Sequence, residues 1–412
     1  MRELSIEKAG QPHNKSGQTA GRRSDALPPI LFLPFRIRKP PGLRHASRSS
    51  FLILGRVTVG LHPISSHSDL SLRADEESER YSRQVLFSGI GEQGQRRLLA
   101  SHVGVVGCGA TGAAVAGMLA RAGVGSLTII DRDYVEWSNL QRQVLFEEPD
   151  AAEGLPKAEA ARRRILAFNS KTQVHARIAD LVPGNIHKLL ADTQIVLDAT
   201  DNFETRYLLN DYAVEQNKPW IYAGAVGSSA VTMNILPGQT ACLACIFPEP
   251  PTGSVETCDT SGILNPAANL AASLQAAEAM KWLVGASGAM RLSLLSWDVW
   301  ANQRAEVNAS RPRADCQVCG MRKFLHLEAK GRAQITLCGR NSVQIHEHRR
   351  TVDFAELERR LQPHGQVRRN ALVLHFQRGI HRMTIFGDGR AIIQGTTDVG
   401  LARSLYSRFI GS

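Results

Sequence analysis

Hydrophobic and polar positions follow a regular order only from about residue 80 onward. Short apolar runs typical of buried strands occur at 103–106, 126–130, 173–179, 194–199, 219–224 and 229–236. Helical patterns occur at 84–100, 113–122, 157–167, 203–216 and 266–284. Strands that alternate with helices at this spacing predict a doubly wound, largely parallel α/β sheet.

The pattern changes near residue 330, where short strands replace the alternation of strands and helices. Strands are predicted at 333–337, 342–346, 371–377 and 380–394, with a turn at 387–389, and helices at 353–361 and 397–409. This order is typical of a small α+β domain. We therefore divide the chain into an N-terminal extension (1–78), a main α/β domain (79–328) and a C-terminal α+β domain (329–412).

The N-terminal extension shows no long periodic pattern and is rich in Arg, Pro, Ser and Gly. Its apolar run at 51–54 is too short to span a membrane, and no small-residue cleavage site follows a signal-like core. We interpret it as a basic, mostly disordered segment. Because no methionine occurs between Met1 and Met118, a later start would need a non-Met codon. That the extension is a start-site artefact is a hypothesis, which a native N-terminus at Met1 or Arg2 would contradict.

The net charge of +11 is concentrated at the two ends of the chain. Residues 1–75 hold twelve Lys and Arg against five Asp and Glu, and residues 331–412 hold thirteen against six. Residues 76–330 hold 24 against 27 and are mildly acidic. We interpret the basic flanks as solvated surface and expect no nucleic-acid partner, with a polyanion-binding role as the alternative. No stretch approaches eighteen uncharged apolar residues, so no membrane-spanning helix is expected.

A glycine-rich loop lies between the first predicted strand and its helix, with glycines at Gly107, Gly109 and Gly112. In a Rossmann-like nucleotide-binding fold, the first glycine permits a tight turn and the second lets the backbone approach a phosphate. The third lets helix and strand pack closely. Asp131, at the end of the next strand, would accept hydrogen bonds from a ribose. By itself this loop is equally typical of a nicotinamide- or flavin-dependent oxidoreductase.

Charged residues further along the chain favour a triphosphate over a dinucleotide. Arg142 and Lys157 would neutralise charge on the phosphates of ATP, and Asp201 would hold Mg²⁺. Asp131 and Asp201 should meet, because the carboxyl ends of parallel strands converge on one crevice. Arg142, Lys157 and Asp201 each have a simpler alternative interpretation. Arg142 could be a surface arginine, Lys157 a solubilising lysine at a helix start, and Asp201 an N-cap for the helix at 203–216.

The ordered set of these motifs resembles the ThiF/MoeB/HesA family over about 250 residues. The resemblance rests on Arg80–Gln84, the glycine loop, Asp131, Asn139–Gln143, Lys157, Asp201 and two cysteine pairs. Members of that family adenylate the C-terminal glycine of small ubiquitin-like sulfur carriers. The resemblance implies that Asp201 is the catalytic, Mg²⁺-associated aspartate, that Arg142 and Lys157 contact the ATP phosphates, that Asn139 faces the nucleotide and that Asp131 holds the ribose. It also implies that Arg83 reaches the ATP of a partner subunit in a homodimer.

Two Cys-x-x-Cys pairs are formed by Cys242 with Cys245 and by Cys316 with Cys319. Four thiolates in two such pairs suit a closed tetrahedral Zn²⁺ site, whereas two redox-active pairs are the alternative. The resemblance favours structural zinc. The odd total of seven cysteines does not suit a secreted disulfide framework and indicates a reducing, cytoplasmic compartment.

Three cysteines remain outside these pairs. Cys258 lies in a polar loop before the helix at 266–284, where a thiol could have a lowered pKa. The resemblance implies a role in sulfur transfer or in a covalent link with the carrier; a spare loop thiol is the alternative. Cys108 is interpreted as a small packed residue, and Cys338 receives no role.

The predicted reaction is the attack of the carrier's terminal carboxylate on the α-phosphorus of ATP, with release of pyrophosphate. The carrier would be ThiS-like or MoaD-like with a Gly-Gly end, a sulfur donor outside this chain would complete the thiolation, and the product would serve thiamine or molybdopterin synthesis. The alternatives are an NAD-dependent oxidoreductase and a non-catalytic carrier-binding scaffold. Residues 331–412 are too short for a rhodanese domain, and their role is not predicted.

Overall fold

The computed structural model describes residues 79–249, 261–328, 334–337, 341–346 and 351–411. The N-terminal extension, Cys258 and Cys338 lie outside these ranges, so the predictions made for them stay predictions.

The described part of the main domain is built on a mixed sheet of eight strands in the order β3-β2-β1-β4-β5-β6-β7-β8. The strands are β1 (His102–Val106), β2 (Ser126–Asp131), β3 (Gln173–Ile178), β4 (Ile195–Asp198), β5 (Trp220–Val226), β6 (Ser229–Ile235), β7 (Ser293–Asp298) and β8 (Gln303–Asn308). β1 to β5 pair in parallel, whereas β5 to β8 are antiparallel neighbours. The predicted α/β fold with a mainly parallel sheet is therefore confirmed.

Helices cover both faces of this sheet, because successive apolar residues of a parallel strand point to opposite faces. In β2, Ile129 packs with one hydrophobic cluster and Ile130 with another. The first cluster takes in α1 (Gly91–Leu99), α2 (Ala110–Arg121), α4 (Lys157–Phe168) and α8 (Asn265–Leu283). The second takes in α5 (Ile186–Leu190), α6 (Phe203–Glu215) and α7 (Leu243–Ile246). A further short helix, α3 (Glu148–Glu153), precedes α4.

The strand order creates a crevice between β1 and β4. β1 connects outward to β2 on one side, and the chain later returns to place β4 on the other. In open α/β sheets, ligands bind at the carboxyl ends of the strands at such a switch point. The glycine loop follows β1, and Asp201 follows β4, so both lie at this crevice.

Some predicted elements differ from those observed. The single helix predicted over 84–100 is wrong: residues 79–85 are helical, 86–90 form turns, and α1 begins afterwards. Gly91, at the start of α1, has φ of +59°, which a continuous right-handed helix does not adopt. The strands β7 and β8, the short helices α3, α5 and α7, and two later elements at Leu325–Glu328 and Gln366–Arg369 were not predicted.

A second sheet follows, all antiparallel, in the order β11-β12-β13-β14-β10-β9 among the described residues. Its strands are β9 (Gln334–Leu337), β10 (Ser342–Ile345), β11 (Gln366–Arg369), β12 (Val373–Arg378), β13 (His381–Phe386) and β14 (Ala391–Gln394). The last helices are α9 (Leu325–Glu328), α10 (Phe354–Leu361) and α11 (Val399–Phe409). α10 and α11 cover one face of the second sheet, and Val373, Phe386 and Ile392 on the other face pack against Tyr134 of the main domain.

In the described ranges, no helix combines the length and apolarity needed to cross a bilayer.

Candidate functional site

The glycine loop makes two close backbone approaches that only glycine permits. Gly107 has φ of +87°, and a Cβ there would lie 2.6 Å from the carbonyl oxygen of Ala199. A Cβ on Gly112 would lie 1.9 Å from the carbonyl oxygen of Gly107. The first glycine thus lets the end of β1 pack closely against the backbone that follows β4. The third lets α2 start directly against the loop. Both are explained by the protein's own packing.

Gly109 differs, because its own packing does not demand a glycine. A Cβ there would meet only the side chain of Gln143, at 3.9 Å. Gly109 stands at the N-cap of α2, and no side chain caps the first N–H groups of that helix. Uncapped N–H groups at a helix N-terminus bind anions. The open side of Gly109 is therefore the place where a phosphate can approach the backbone.

Asp131 is built into the glycine loop by two hydrogen bonds. Its Oδ2 accepts the backbone N–H of Cys108 at 2.5 Å, and its Oδ1 accepts the backbone N–H of Asp133 at 2.7 Å. Burial raises the pKa of this carboxyl, and the ammonium group of Lys157 opposes that shift. Asp131 thus fixes the loop, and its contact with a ribose stays a prediction.

The interpretation of Cys108 as a packed residue is confirmed. Its side chain is fully buried, and burial, with a smaller contribution from Asp131, raises the pKa of its thiol. A thiol of this kind is not a nucleophile.

Lys157 is buried beside the loop, so the alternative of a solubilising surface lysine is wrong. Its side chain is 3 % exposed, and its Nζ lies 3.2 Å from Oδ2 of Asp133. Its backbone N–H donates to the carbonyl oxygen of Asp133 at 2.9 Å. A buried ammonium group needs a carboxylate partner. Asp133 was not predicted as a site residue, although its position two residues after Asp131 was a signal that could have found it.

The segment that carries Asn139 and Arg142 is a short 3₁₀ turn, Trp137–Asn139, followed by further turns. The buried Asn139 accepts the backbone N–H of Glu136 through Oδ1 at 3.0 Å. Arg142 is half-buried, and its Nη1 donates to the carbonyl oxygen of Ser138 at 2.7 Å. Asn139 therefore shapes the turn from which Arg142 extends.

Gln143 is the last residue of the motif Asn139–Gln143 but was not predicted as a site residue. It is 3 % exposed, faces Gly109, and its Oε1 has no hydrogen-bond partner among the described residues. Leaving a buried acceptor unpaired costs about 1–3 kcal/mol, which a bound ligand next to Gly109 could recover.

The end of β4 carries two aspartates with different surroundings. Asp198 is fully buried; its Oδ1 accepts the backbone N–H of Thr200 at 2.9 Å, and its Oδ2 lies 3.3 Å from Nε of Arg206. Asp201 is exposed and makes no hydrogen bond or ion pair with another described residue. The N-cap of α6 is Asn202, so the alternative of Asp201 as the cap is wrong.

Arg132 follows β2 beside the crevice. Its Nη1 lies 3.1 Å from Oδ1 of Asp180. Although burial disfavours its charge, the pKa of Arg132 is raised by Asp180, Asp133, Asp201 and Asp131. Asp131 and Asp201 thus act on one guanidinium group, which agrees with the expected convergence of the two strand ends.

Arg83 is exposed on the helical residues 79–85. Its contact with the nucleotide of a partner subunit stays a prediction.

The four paired cysteines form a compact cluster. All four Sγ atoms lie within 4.8 Å of one another, and Cys242, Cys245 and Cys316 are buried. The Sγ–Sγ distances are 3.8 Å for Cys242–Cys245, 3.6 Å for Cys242–Cys316 and 3.3 Å for Cys245–Cys319. A disulfide needs about 2.05 Å, whereas a tetrahedral Zn²⁺ with bonds of about 2.3 Å puts its sulfurs about 3.8 Å apart. The cluster can therefore hold a metal, and its donors suit zinc.

The sequence profile of the ThiF family matches residues 81–318, more than half of the chain. This protein belongs to the ThiF family. It is 43 % identical over 336 residues to the sulfur carrier protein ThiS adenylyltransferase of Bacillus subtilis, covering 81 % of this chain and 99 % of the relative. It is 38 % identical over 252 residues to the SAMP-activating enzyme E1 of Haloferax volcanii, covering 61 % of this chain and 92 % of the relative.

Solved structures agree with the family. The crystal structure of E. coli MccB with ATP has a TM-score of 0.51 and 27 % identity, over 62 % of this chain and 82 % of that one. ThiF-type adenylyltransferases bind ATP, and none of these relatives supports the oxidoreductase alternative.

Proposed function

We propose that this ThiF-family adenylyltransferase uses ATP to adenylate the C-terminal glycine of a ubiquitin-like sulfur carrier and releases pyrophosphate. The observation that carries the proposal is the assembly of the glycine loop, buried Lys157 and exposed Asp201 at one crevice, within the segment that matches the family. The Bacillus relative is named for the sulfur carrier ThiS, and the match with this chain covers 99 % of that relative. This similarity supports the substrate class.

The first step needs no nucleophile from the enzyme. The terminal carboxylate of the carrier attacks the α-phosphorus of ATP, forming an acyl adenylate as the bond to pyrophosphate breaks. The protein's contribution is to hold the reactants in line and to stabilise charge on the phosphates. The N–H groups of α2 and the side chains of Lys157 and Arg142 would supply that stabilisation.

Asp201 suits a Mg²⁺ ligand because it is an exposed carboxylate at the crevice without a described partner. Carboxylate oxygen is the donor that Mg²⁺ prefers, and the bound ion would neutralise charge on the phosphates. Asn139 and Asp131 would contact the nucleotide from the other side of the loop.

The cysteine cluster would hold structural zinc and keep the chain after α8 against α7. The remaining parts of the proposal are a homodimer in which Arg83 reaches the partner's ATP, an external sulfur donor, sulfur transfer that involves Cys258, and a cytoplasmic location. We also propose the division into 1–78, 79–328 and 329–412. The carrier would be ThiS-like or MoaD-like, for thiamine or molybdopterin synthesis.

Carrier-dependent exchange of labelled pyrophosphate into ATP tests the proposal. We expect exchange with at least one carrier that ends in Gly-Gly, and protection from heat by ATP but not by NAD. Asp201→Ala should lower the exchange rate by about 10²–10³, whereas Asp192→Ala, an exposed aspartate before β4, should not change it. If no Gly-Gly-ended carrier supports exchange, adenylation is refuted. Exchange that survives Asp201→Ala would refute only the role of that residue.

Cys258→Ser separates the second step from the first. Its exchange should equal that of the wild type, while thiolation of the carrier, measured by mass spectrometry, should fall. Unchanged thiolation would reduce Cys258 to a spare thiol.

A further inference from the structure

An arginine of the second sheet is buried where that sheet packs against the main domain. Arg390 follows the β13–β14 turn, in which Gly389 has φ of +84°, and its side chain is fully buried. Its guanidinium group lies 3.7 Å from the centre of the Phe386 ring, and Nε lies 3.8 Å from Oδ2 of Asp388. Burying a charge is costly, so a guanidinium in this position indicates a specific partner.

Its closest partner is a peptide group beside the proposed nucleotide site, and Nη1 also donates to Oε1 of Gln344 at 3.3 Å. Nη1 of Arg390 donates to the backbone carbonyl oxygen of Arg132 at 2.6 Å. The same peptide unit carries the N–H of Asp133, which donates to Oδ1 of Asp131 at 2.7 Å. Because a peptide is planar, fixing its oxygen fixes the direction of its N–H. The bond from Arg390 therefore holds the N–H on Asp131, whose other oxygen holds the glycine loop at Cys108.

The next residue extends this chain of contacts to the ammonium group at the crevice. Asp133 pairs with Lys157 through its side chain at 3.2 Å and accepts the N–H of Lys157 through its carbonyl oxygen at 2.9 Å. A rotation of the 132–133 peptide would thus disturb both the glycine loop and Lys157.

Other side chains of the second sheet contact the segment 132–136 or Asp180, the ion-pair partner of Arg132. Nε2 of Gln344 donates to Oδ2 of Asp180 at 3.1 Å, and the other oxygen of Asp180 pairs with Arg132. Nε2 of Gln394 donates to Oε1 of Glu136 at 3.0 Å. The second sheet therefore contacts the segment 132–136 at several points, and Arg390 is the contact that reaches its backbone at the nucleotide side.

We propose that Arg390 is a positioning residue of the nucleotide site, acting on the glycine loop and Lys157 through the 132–133 peptide. The inference rests on the proposed use of that site for ATP. It gives the second sheet, whose role the sequence did not reveal, a part in nucleotide binding without any contact with substrate.

The test compares Arg390→Gln with Arg382→Gln in the full-length protein, since Arg382 is an exposed arginine of β13. A hydrogen bond from a charged donor is stronger than one between neutral groups. We expect Arg390→Gln to raise the KM for ATP at least tenfold in pyrophosphate exchange, with the KM for the carrier unchanged. Arg390→Lys, which can still donate to one carbonyl, should recover part of the loss, and Arg382→Gln should match the wild type.

A purely structural role gives a different result, because it lowers the fraction of active enzyme and hence kcat, leaving the KM for ATP unchanged. Near-UV circular dichroism shows which of the variants Arg390→Gln and Arg390→Lys are folded. An unchanged KM for ATP in a folded variant would overturn the inference. If the wild type shows no exchange, calorimetric titration with Mg·ATP makes the same comparison. Equal ATP affinities of wild type and variant refute the role of Arg390, whereas missing exchange refutes only adenylation.

Discussion

Replacing the glycines of the nucleotide loop one at a time separates ligand binding from folding. Gly109→Ala places a methyl group on the open side of the loop, where the nearest protein atom is 3.9 Å away. Gly112→Ala places the same group 1.9 Å from the carbonyl oxygen of Gly107. The two variants differ by position alone, so each is the control for the other.

The expected magnitudes follow from those distances. Gly109→Ala should cost about 1 kcal/mol, as alanine is a poorer helix N-cap than glycine. Gly112→Ala must push α2 away from the loop, and overpacking of this kind costs about 3 kcal/mol. In a domain of this size 1 kcal/mol shifts Tm by about 2–4 °C. We therefore expect Tm to fall by about 3 °C for Gly109→Ala and by roughly 10 °C for Gly112→Ala.

Binding should follow the opposite order. The methyl group of Gly109→Ala would occupy the position proposed for the closest phosphate, and we expect Mg·ATP affinity to fall at least 100-fold, or about 2.8 kcal/mol. Calorimetric scanning gives Tm, and isothermal titration at a temperature where both variants are folded gives Kd. Wild-type affinity in Gly109→Ala would refute the reasoning, because the phosphate would then not lie against this residue.

Three further predictions concern the site's charges, its sulfurs and its pH dependence. Lys157→Met should lower pyrophosphate exchange about 10²-fold, whereas exposed Lys171→Met should not, and equal rates would contradict the phosphate role. Cys316→Ser should lose the one zinc per chain that elemental analysis is expected to find, with a large fall in Tm, whereas Cys108→Ala should keep the metal; zinc retained in Cys316→Ser would contradict the cluster. Burial lowers the pKa of His375 from 6.5 to about 4. The contribution of the neutral ring to the free energy of unfolding is therefore complete above pH 6.5 and is lost as the pH falls toward 4. Between pH 7.5 and 4.5, urea unfolding should show about 2 kcal/mol more loss for the wild type than for His375→Gln, and parallel losses would contradict the shift.

The sequence predicted the crevice at the ends of β1 and β4 because its determinants are local. A glycine loop between a strand and a helix, with an aspartate at the next strand end, depends on spacings of a few residues. The cysteine cluster could also be predicted from the sequence, because each Cys-x-x-Cys pair is local and the fold only has to bring the two pairs together. The structure places all four Sγ atoms within 4.8 Å of one another. The largely parallel sheet followed from the alternation of strands and helices, whereas the order of its strands was not predicted.

What the sequence did not reveal depends on contacts between distant residues. β8 is exposed along its whole length and carries no apolar alternation, so its pairing with β7 left little pattern to detect. The partner of Lys157 is 24 residues away, and the carbonyl that Arg390 contacts is 258 residues away. No periodicity encodes such pairs, because they arise only when separate elements pack.

The ends of β2 and β4 share one construction, which clarifies the roles of their carboxylates. Asp131 accepts the N–H two residues ahead, and Asp198 does the same with Thr200. Asp and Asn side chains commonly fold the backbone in this way. Each strand therefore ends in a buried aspartate that sets the turn, followed by a second aspartate, Asp133 or Asp201, that the turn directs to the crevice.

If the first of each pair sets the turn, replacing Asp198 by Asn should preserve its geometry and much of the activity, since an amide oxygen still accepts the N–H. Replacing Asp201 by Asn should not preserve activity, because a neutral amide is a poor ligand for Mg²⁺. Equal losses in the two variants would show that the buried carboxylate acts through its charge rather than through the turn.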